Sequence, residues 1–393
     1  MRKVIFFISS PLYDRDITRF GYNLLKKNKL DISFFNFTPI LYPDFYRSAE
    51  KKSRYKGHNE IIFFNMNDAL LEISKIEQDC FVVCILHYNF LTHRVYRAIS
   101  KAKLSYGLSS INVLPNNQHY KASSFFKKFL NLRLSSLRSK LLGQIFRFKY
   151  AKLLGINPPA VLIAGGVNSL YSEVLNLVDP TTDILWTHTY DYDTYLNNIN
   201  SDLSLNNIAV FIDAPSPMFK HDSLIPGIHS PLTVEKYYPS LCNFFEILEN
   251  NLGLKVVIAS HPYSRHDNNP EYFGGREVFN NMTSELIKAS NLVINRNSTS
   301  INFAVIYNKP VIFHTSDEIE LSPLGMKDQI KSMSLALGKV PINIDHLSDI
   351  SLSNEMTINT QVYSQYKNSF IKKNNTVDLP IWQIFSNWLK TKS

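Results

Sequence analysis

A histidine–proline pair directly follows one of the most apolar stretches of the chain. The segment LKVVIASHPYSRHD predicts a buried strand over Lys255–Ala259, which places His261 at its carboxyl end, with Pro262 preventing the strand from continuing. An imidazole in this position can donate a hydrogen bond to a phosphate oxygen, and Arg265 would strengthen the anion site. Taken alone, the pair also fits a strand-ending turn with a histidine on the surface.

Three hydroxyl residues in a row form the second candidate motif. In NLVINRNSTSINFAVIYNKPVIF an apolar strand and Arg296 are followed by Asn297, Ser298, Thr299 and Ser300, directly before an apolar helix. Hydroxyls and free backbone N–H groups at a helix start bind anions, and the helix dipole adds to this. Ordinary N-capping would need one such residue. The segment is therefore predicted to bind a phosphate.

Asp213 ends another apolar run, NNIAVFIDAPSPMFKHD, and prolines keep the following loop irregular. A carboxylate at a strand end can act as a general base toward an acceptor hydroxyl, or as a nucleophile. His221 and Asp222 are secondary candidates for this role. The alternative is structural, an Asx-turn in which the carboxylate accepts from its own loop.

The segment THTYDYD follows the last strand of the first half, so His188, Asp191 and Asp193 are expected near a ligand-binding edge. They could bind substrate hydroxyls or transfer protons. A Mg²⁺ site from two carboxylates is conceivable, but the D-x-D spacing is common by chance, and no metal is predicted. Gly165 and Gly166 end the preceding strand, either as a tight turn or as a close approach of the backbone to a ligand.

These residues need a framework, and the chain alternates short apolar strands with longer helical stretches, as an α/β sheet requires. In the first half we predict strands Lys3–Ile8, Leu30–Phe37, Phe81–Leu86, Ala160–Ala164 and Ile184–Thr187, and helices Asp16–Lys26 and Asn67–Ile76. A polar linker rich in Asn and Ser follows over Leu196–Asn207.

After the linker the alternation restarts. In the second half we predict strands Ile208–Ile212, Lys255–Ala259, Leu292–Ile294 and Pro310–Phe313, and helices Thr233–Asn250, Thr283–Ala289 and Ser300–Ile306. Two successive open α/β units suggest Rossmann-like domains over 1–196 and 207–375, with ligands beyond the carboxyl ends of the strands. The last segment has its apolar residues on one helical face, which predicts a terminal helix over 379–391.

The order of these motifs resembles the nucleotide-binding half of GT-B glycosyltransferases over about residues 208–316. It is most similar to the bacterial families that use CMP-activated sugars, the sialyltransferases and the Kdo (3-deoxy-octulosonic acid) transferases. These families carry an HP motif and a later Ser/Thr motif around the CMP phosphate. His261 and Pro262 match the first motif, and Ser298–Ser300 match the second. The acidic-acidic-Gly motif that supplies the base in sialyltransferases is not found here.

The resemblance implies an α/β fold of GT-B type: two Rossmann-like domains facing a central cleft, with the C-terminal helix packing back on the N-terminal domain. It implies a glycosyltransferase that moves a sugar, Kdo or a nonulosonic acid, from a CMP-linked donor to an acceptor in capsule, O-antigen or lipopolysaccharide synthesis. No cofactor besides the nucleotide sugar is expected. The residues expected at the donor are His261, Pro262, Arg265, Asn297, Ser298, Thr299 and Ser300, and the catalytic candidates are Asp213, His188 and Asp191.

Four alternatives remain open at this point. A UDP-sugar-dependent GT-B enzyme or a UDP-N-acetylglucosamine 2-epimerase would share the layout. A CDP-polyol phosphotransferase uses a similar frame, and a non-enzymatic partner in glycan assembly could keep the fold without the chemistry.

Charge and composition exclude other classes. The 393 residues contain 42 Lys and Arg against 33 Asp and Glu, for a net charge of +9. Nine basic residues and no acidic ones lie between Lys121 and Lys152, so one segment carries the whole excess. A general nucleic-acid binder would spread positive charge over a face, so no nucleic acid is expected as a partner. Three cysteines without metal spacing argue against disulfides and zinc, and fit a reducing compartment.

The basic segment 121–152 has Phe and Leu at spacings of three and four, which predicts an amphipathic helix suited to an anionic membrane surface. A solvated face of a core helix and an RNA-binding stretch are the alternatives. No apolar run is long enough to span a bilayer, and the N-terminus is interpreted as a strand rather than a signal peptide. We therefore expect a cytoplasmic enzyme, peripheral on the inner face of the bacterial inner membrane, that acts on a glycan or lipid-linked glycan acceptor.

Overall fold

The structure, a computed structural model, describes residues 1, 3–50, 59–115, 151–199, 203–217, 231–261, 264, 270–322, 325–347 and 352–392. The chain forms two compact units. The first contains Met1–Val113, Tyr120–Tyr190 and Lys372–Ser393, and the second contains Leu114–His119 and Asp191–Ile371. The predicted amphipathic helix over 121–152 lies outside the described residues, except for Ala151 and Lys152.

A parallel seven-stranded sheet forms the centre of the first unit, in the order β3-β2-β1-β4-β5-β6-β7. Its strands are β1 Lys3–Ile8, β2 Asp31–Asn36, β3 Glu60–Ile62, β4 Cys80–Cys84, β5 Ser105–Ser110, β6 Val161–Ala164 and β7 Asp183–Trp186. The helices up to its boundary are α1 Asp14–Arg19, α2 Tyr22–Lys27, α3 Thr38–Leu41, α4 Pro43–Glu50, α5 Met66–Ser74, α6 His93–Lys101, α7 Ser172–Leu175 and α8 Tyr190–Asn198.

The second unit has a parallel six-stranded sheet in the order β10-β9-β8-β11-β12-β13. Its strands are β8 Ile208–Ile212, β9 Lys255–Ser260, β10 Val278–Asn280, β11 Leu292–Asn295, β12 Val311–Thr315 and β13 Ile342–Asn343. Its helices after α8 are α9 Val234–Leu252, α10 Thr283–Ala289, α11 Ile301–Ile306, α12 Asp317–Glu320, α13 Met326–Ala336, α14 Leu352–Glu355 and α15 Thr360–Tyr366.

The last helix, α16 Ile381–Thr391, belongs to the core of the first unit. Its apolar face covers the side of the sheet that carries Phe6 and Phe81, and the rings of Trp382 and Phe6 meet edge to face at 4.9 Å. Gly21 lies against Trp382 with φ of +57°, and a Cβ at this position would come within 2.4 Å of the indole. The turn between α1 and α2 therefore needs glycine, and it divides the single helix predicted over Asp16–Lys26 into two.

The predicted fold class is confirmed: both units are α/β with parallel, Rossmann-like sheets, and the terminal helix packs on the first unit, as predicted. Every predicted strand is present, with ends within two residues of those expected. The chain passes from the first unit to the second at Tyr190–Asp191, inside α8, which extends into the polar segment interpreted as a linker. The predicted cleft remains a prediction.

Candidate active site

The strand order of the second unit indicates where a ligand binds. The order runs outward from β8 to β9 and β10 on one side, and to β11, β12 and β13 on the other. In an open parallel sheet, the crevice beyond the carboxyl ends of the strands at such a reversal is the usual ligand site. The loops after β8 and β11 line this position, and the loop after β9 is next to it. These three loops contain the predicted Asp213, His261 and Asn297–Ser300.

Asp213 and His261 meet across neighbouring strands. The backbone N–H of His261 donates to Oδ2 of Asp213 at 3.3 Å, and the N–H of Asp213 donates to the carbonyl of Ala259 at 3.0 Å. Asp213 is only 3% exposed, whereas His261 is half-buried. The carboxylate therefore fixes the backbone at the point where the histidine leaves its strand, and the imidazole stands nearer to solvent.

The hydroxyl segment after β11 is held by its own side chains. The amide N–H of Ser298 donates to Oδ1 of Asn295 at 3.2 Å, and the N–H of Ser300 donates to Oγ of Ser298 at 3.3 Å. No side chain caps α11, so the N-capping alternative does not explain the three hydroxyls. Thr299 is exposed, whereas Asn297, Ser298 and Ser300 are half-buried.

The backbone N–H groups at the start of α11 are not free, in contrast to the sequence-based prediction. The amides of Ile301, Asn302 and Phe303 donate to the carbonyls three residues earlier, at 3.1–3.3 Å, so these donors are already used. The helix also has only six residues, too short for a substantial dipole. Anion binding here would depend on the side-chain hydroxyls rather than on the helix start.

A buried arginine, Arg296, connects the loops after β8 and β11, and this role was not predicted from the sequence. Arg296 follows β11 directly and is 1% exposed. Its Nη1 donates to the carbonyl of Ser216, in the loop after β8, at 3.1 Å, and its Nε donates to Oδ1 of Asn297 at 3.2 Å. The sequence marked Arg296 only as a neighbour of the hydroxyl motif, because arginines are rarely buried.

One aromatic side chain packs against the guanidinium of Arg296. The Cζ of Arg296 lies 5.3 Å from the ring centroid of Tyr237 in α9, and the hydroxyl of Tyr237 is 3.0 Å from Nε2 of His314 in β12. Burial, followed by the charge of Arg296, lowers the pKa of His314 to about 3. Burial raises the pKa of Tyr237. His314 is therefore neutral, and its Nε2 shares one hydrogen bond with the tyrosine hydroxyl.

His188 and Asp191, the other catalytic candidates, lie in different units. His188 is fully buried in the first unit, and its Nδ1 and Nε2 lie 3.1 and 2.9 Å from the carbonyl oxygens of Thr189 and Leu379. It also forms an isolated antiparallel bridge with Lys372, where the chain returns to this unit. In this structure the imidazole fastens the segment that leads to α16, and a catalytic role for it remains a prediction.

Asp191 lies in the first turn of α8, in the second unit, and is 8% exposed. Its Oδ2 accepts from the side-chain amide of Asn302 at 2.8 Å, and the hydroxyl of Tyr366 donates to Oδ1 of the same asparagine at 3.4 Å. Burial raises the pKa of Tyr366, and the charge of Asp191 raises it further. These contacts connect α8, α11 and α15.

Several predicted residues lie outside the described part of the chain, namely Pro262, Arg265, His221 and Asp222. Within the described part, no group of three His, Cys, Asp or Glu side chains could hold a metal ion.

One buried carboxylate of the first unit was missed by the sequence reasoning. Burial raises the pKa of Asp16 in α1, while Arg15 and Arg19 partly offset this.

Comparisons with known proteins found solved structures at very low sequence identity. The chain is similar to MurG from Acinetobacter baumannii (8% identity, all of both chains, TM-score 0.49). It is also similar to UDP-GlcNAc 2-epimerase from Methanocaldococcus jannaschii (11%, all of both chains, 0.49) and to the calicheamicin glycosyltransferase CalG4 (9%, 94% of this chain and 95% of that one, 0.47). No protein-family model and no curated protein matches the sequence. Because these TM-scores are below 0.5, the fold class rests on the strand orders described above.

Proposed function

We propose that the protein is a metal-independent glycosyltransferase whose second unit binds a nucleotide-sugar donor. The observation that carries this proposal is the grouping of Asp213, His261 and the 296–300 segment at the carboxyl ends of β8, β9 and β11, where the strand order reverses. A phosphate group placed there would meet an imidazole, hydroxyls and a buried positive charge. Such donors stabilise the charge that develops on a departing nucleotide phosphate.

The proposed roles follow from exposure. His261 and Thr299, which reach solvent, would contact the phosphate, while Ser298 and Asn297 would shape the loop. Asp213 is proposed as the catalytic carboxylate. Its hydrogen bond to the backbone of His261 also supports a positioning role for the same side chain. Pro262 and Arg265 are proposed to complete the donor site.

The CMP linkage and an acidic sugar such as Kdo or a nonulosonic acid are supported by the likeness of the His-Pro and Ser/Thr motifs to those of CMP-sugar transferases. A surface-glycan or lipid-linked acceptor, and a location at the inner face of the bacterial inner membrane, complete the proposal, with the basic segment 121–152 as the membrane contact. Among the described helices, none is long and apolar enough to cross a membrane.

Calorimetric titration of the intact chain with CMP, CDP, UDP and GDP tests the donor part. Selective binding of CMP is the expected result. Selective binding of UDP would replace the CMP donor with a UDP donor but keep the enzyme class. Absence of binding by all four nucleotides would overturn the donor site and favour a glycan-assembly partner without chemistry.

Turnover of Asp213→Asn tests the catalytic part. We expect a loss of at least about 100-fold in kcat with nucleotide affinity nearly unchanged, because a positioned acid or base contributes about that much. Asp191→Asn is measured beside it, since Asp191 is a buried carboxylate of the same unit and the next catalytic candidate. If Asp213→Asn stays active and Asp191→Asn does not, the catalytic role belongs to Asp191.

A further inference from the structure

Arg296 occupies an unusual place for a charged residue. It is 1% exposed at the end of a central strand, and among the described residues no carboxylate forms an ion pair with it. Removing a guanidinium from water costs several kcal/mol unless other groups compensate. The nearby carboxylate of Asp213 accepts from the backbone of His261. The positive charge of Arg296 therefore lies at the carboxyl end of β11 without an ion pair among the described residues.

The hydrogen bonds of Arg296 cross the reversal of the strand order. Nη1 binds the carbonyl of Ser216 from the loop after β8, and Nε binds the side chain of Asn297 from the loop after β11. The amide nitrogen of Asn297 in turn donates to Oε1 of Gln329 in α13 at 3.2 Å. One side chain thus connects the two loops that line the crevice and orients the first residue of the hydroxyl segment.

Tyr237 and His314, on one side of the guanidinium, supply no compensating negative charge. Tyr237 faces it with the ring, and its hydroxyl binds the neutral imidazole of His314. Both groups are buried, at 4% and 0% exposure. Tyr237 and His314 are both uncharged, so they support the cation without forming an ion pair with it.

We propose that Arg296 is the positioning residue of the donor site: it holds the loops after β8 and β11 at the spacing that a nucleotide phosphate needs, and supplies a permanent positive charge beneath that phosphate. This inference rests on the proposed donor site in the second unit. It assigns to Arg296 no direct contact with the ligand: Arg296 acts through its hydrogen bonds to Ser216 and Asn297 and through its charge.

The experiment compares Arg296→Gln and Arg296→Lys with a matched control, Arg276→Gln. Arg276 is a half-buried arginine of the same unit, with a phenylalanine ring 5.2 Å from Cζ and a hydrogen bond to the carbonyl of Phe273. Unlike Arg296 it pairs with a carboxylate, that of Glu249, and it lies before β10, at the amino end of the sheet. Removal of either guanidinium is expected to destabilise the unit. A loss of nucleotide affinity that is seen only in the Arg296 variants therefore comes from the position of Arg296 and not from general destabilisation.

Nucleotide affinity, donor KM and hydrogen–deuterium exchange are measured on each variant of the full chain. Arg296→Gln should weaken nucleotide binding and raise the donor KM at least about tenfold, with the acceptor KM unchanged, since hydrogen bonds to a charged group contribute that much. Exchange should increase in both loops, 213–217 and 296–300. Arg296→Lys should fall between wild type and Arg296→Gln, because its ammonium keeps the charge but does not span both acceptors. Arg276→Gln should bind nucleotide within about twofold of wild type.

Two results would overturn the proposal. One is nucleotide affinity in Arg296→Gln equal to that of Arg276→Gln, and the other is an unchanged exchange rate in either loop. If Arg296→Gln does not fold, Arg296→Lys decides the question by the same criteria. If the wild-type chain binds no nucleotide, the donor proposal fails, while the exchange rates of the two loops still test whether Arg296 holds them together.

Discussion

The two units share a strand order but differ at the edge where that order reverses. In the first unit the reversal lies between β1 and β4, and in the second between β8 and β11. The first reversal is followed by Ser9, Ser10 and an exposed His87, and the described loops 9–12 and 85–88 contain no buried charge. The second is followed by Asp213 and Arg296, both almost completely buried.

Polar groups near the edge of the first unit are used within that unit. The hydroxyl of Ser110 donates to the carbonyl of Ser169, and the hydroxyl of Thr187 donates to the carbonyl of Ala164. Asp16 accepts from the N–H of Tyr13 and pairs with two arginines. A Rossmann-like sheet alone therefore does not make a site. Buried charge at the reversal distinguishes the second unit, and this supports donor binding there.

The largest expected effect is a loss of stability that is confined to the first unit. Trp382→Ala should lower the free energy of unfolding of this unit by about 3–5 kcal/mol, because it leaves a cavity where α16 packs on Phe6. Urea denaturation followed by hydrogen exchange measures this loss. Nucleotide affinity should stay within twofold at low denaturant. A tenfold loss of affinity would mean that nucleotide binding does not depend on the second unit alone.

Removing the half-buried imidazole at the second edge should have the next largest effect. His261→Ala is expected to weaken nucleotide binding by about 1.5–3 kcal/mol, the range for a hydrogen bond to a charged group. Isothermal titration calorimetry measures the affinity, with His346→Ala as control, since His346 is an exposed histidine of the same unit. Equal affinity in the two variants would remove His261 from the donor site.

The pH dependence of the second unit should come in part from His314. Its pKa is near 3 when folded and about 6.5 when unfolded, so the unfolded chain binds the extra proton between these values. The stabilisation is complete above pH 6.5 and decreases as the pH falls toward 3, by about 1.5 kcal/mol between pH 6.5 and 5. Urea denaturation of wild type and His314→Phe at both pH values measures this. An unchanged pH slope in the variant would show that the imidazole is not buried in its neutral form.

The smallest effect separates two hydroxyls of the same segment. Thr299→Ala should weaken nucleotide binding by about 0.5–1.5 kcal/mol, because its exposed hydroxyl is proposed to contact the phosphate. Ser298→Ala should instead increase hydrogen exchange at Ser300, whose N–H donates to the Ser298 hydroxyl. If Thr299→Ala binds as tightly as wild type, the contact with the phosphate belongs to another residue.

Much of the fold followed from apolar runs in the sequence. Strands such as Ile208–Ile212 are buried along their whole length, and five apolar residues in succession are enough to predict them. The missed strands lack this signal. β5 reads SYGLSS, with Gly107 packed against Val161, and β3, β10 and β13 have only two or three residues. Pairing with a neighbouring strand, rather than hydrophobicity, makes them strands.

The site was only partly predictable. Asp213 and His261 stood out because a polar residue ends an apolar run, and their contact follows from adjacent parallel strands. The buried state of Arg296 depends on Tyr237 and Ser216, which are 59 and 80 residues away in sequence. The contact between His188 and the carbonyl of Leu379 joins residues that are 191 positions apart in the sequence. No local pattern carries such information.

The most direct test of a donor site in the second unit is hydrogen–deuterium exchange of the intact chain with and without saturating CMP, repeated with UDP. The account predicts that the nucleotide which binds slows exchange at 213–217, at His261 and at 296–300, and leaves the loops 9–12 and 85–88 unchanged. Protection of the loops after β1 and β4, with none after β8, β9 and β11, would contradict it.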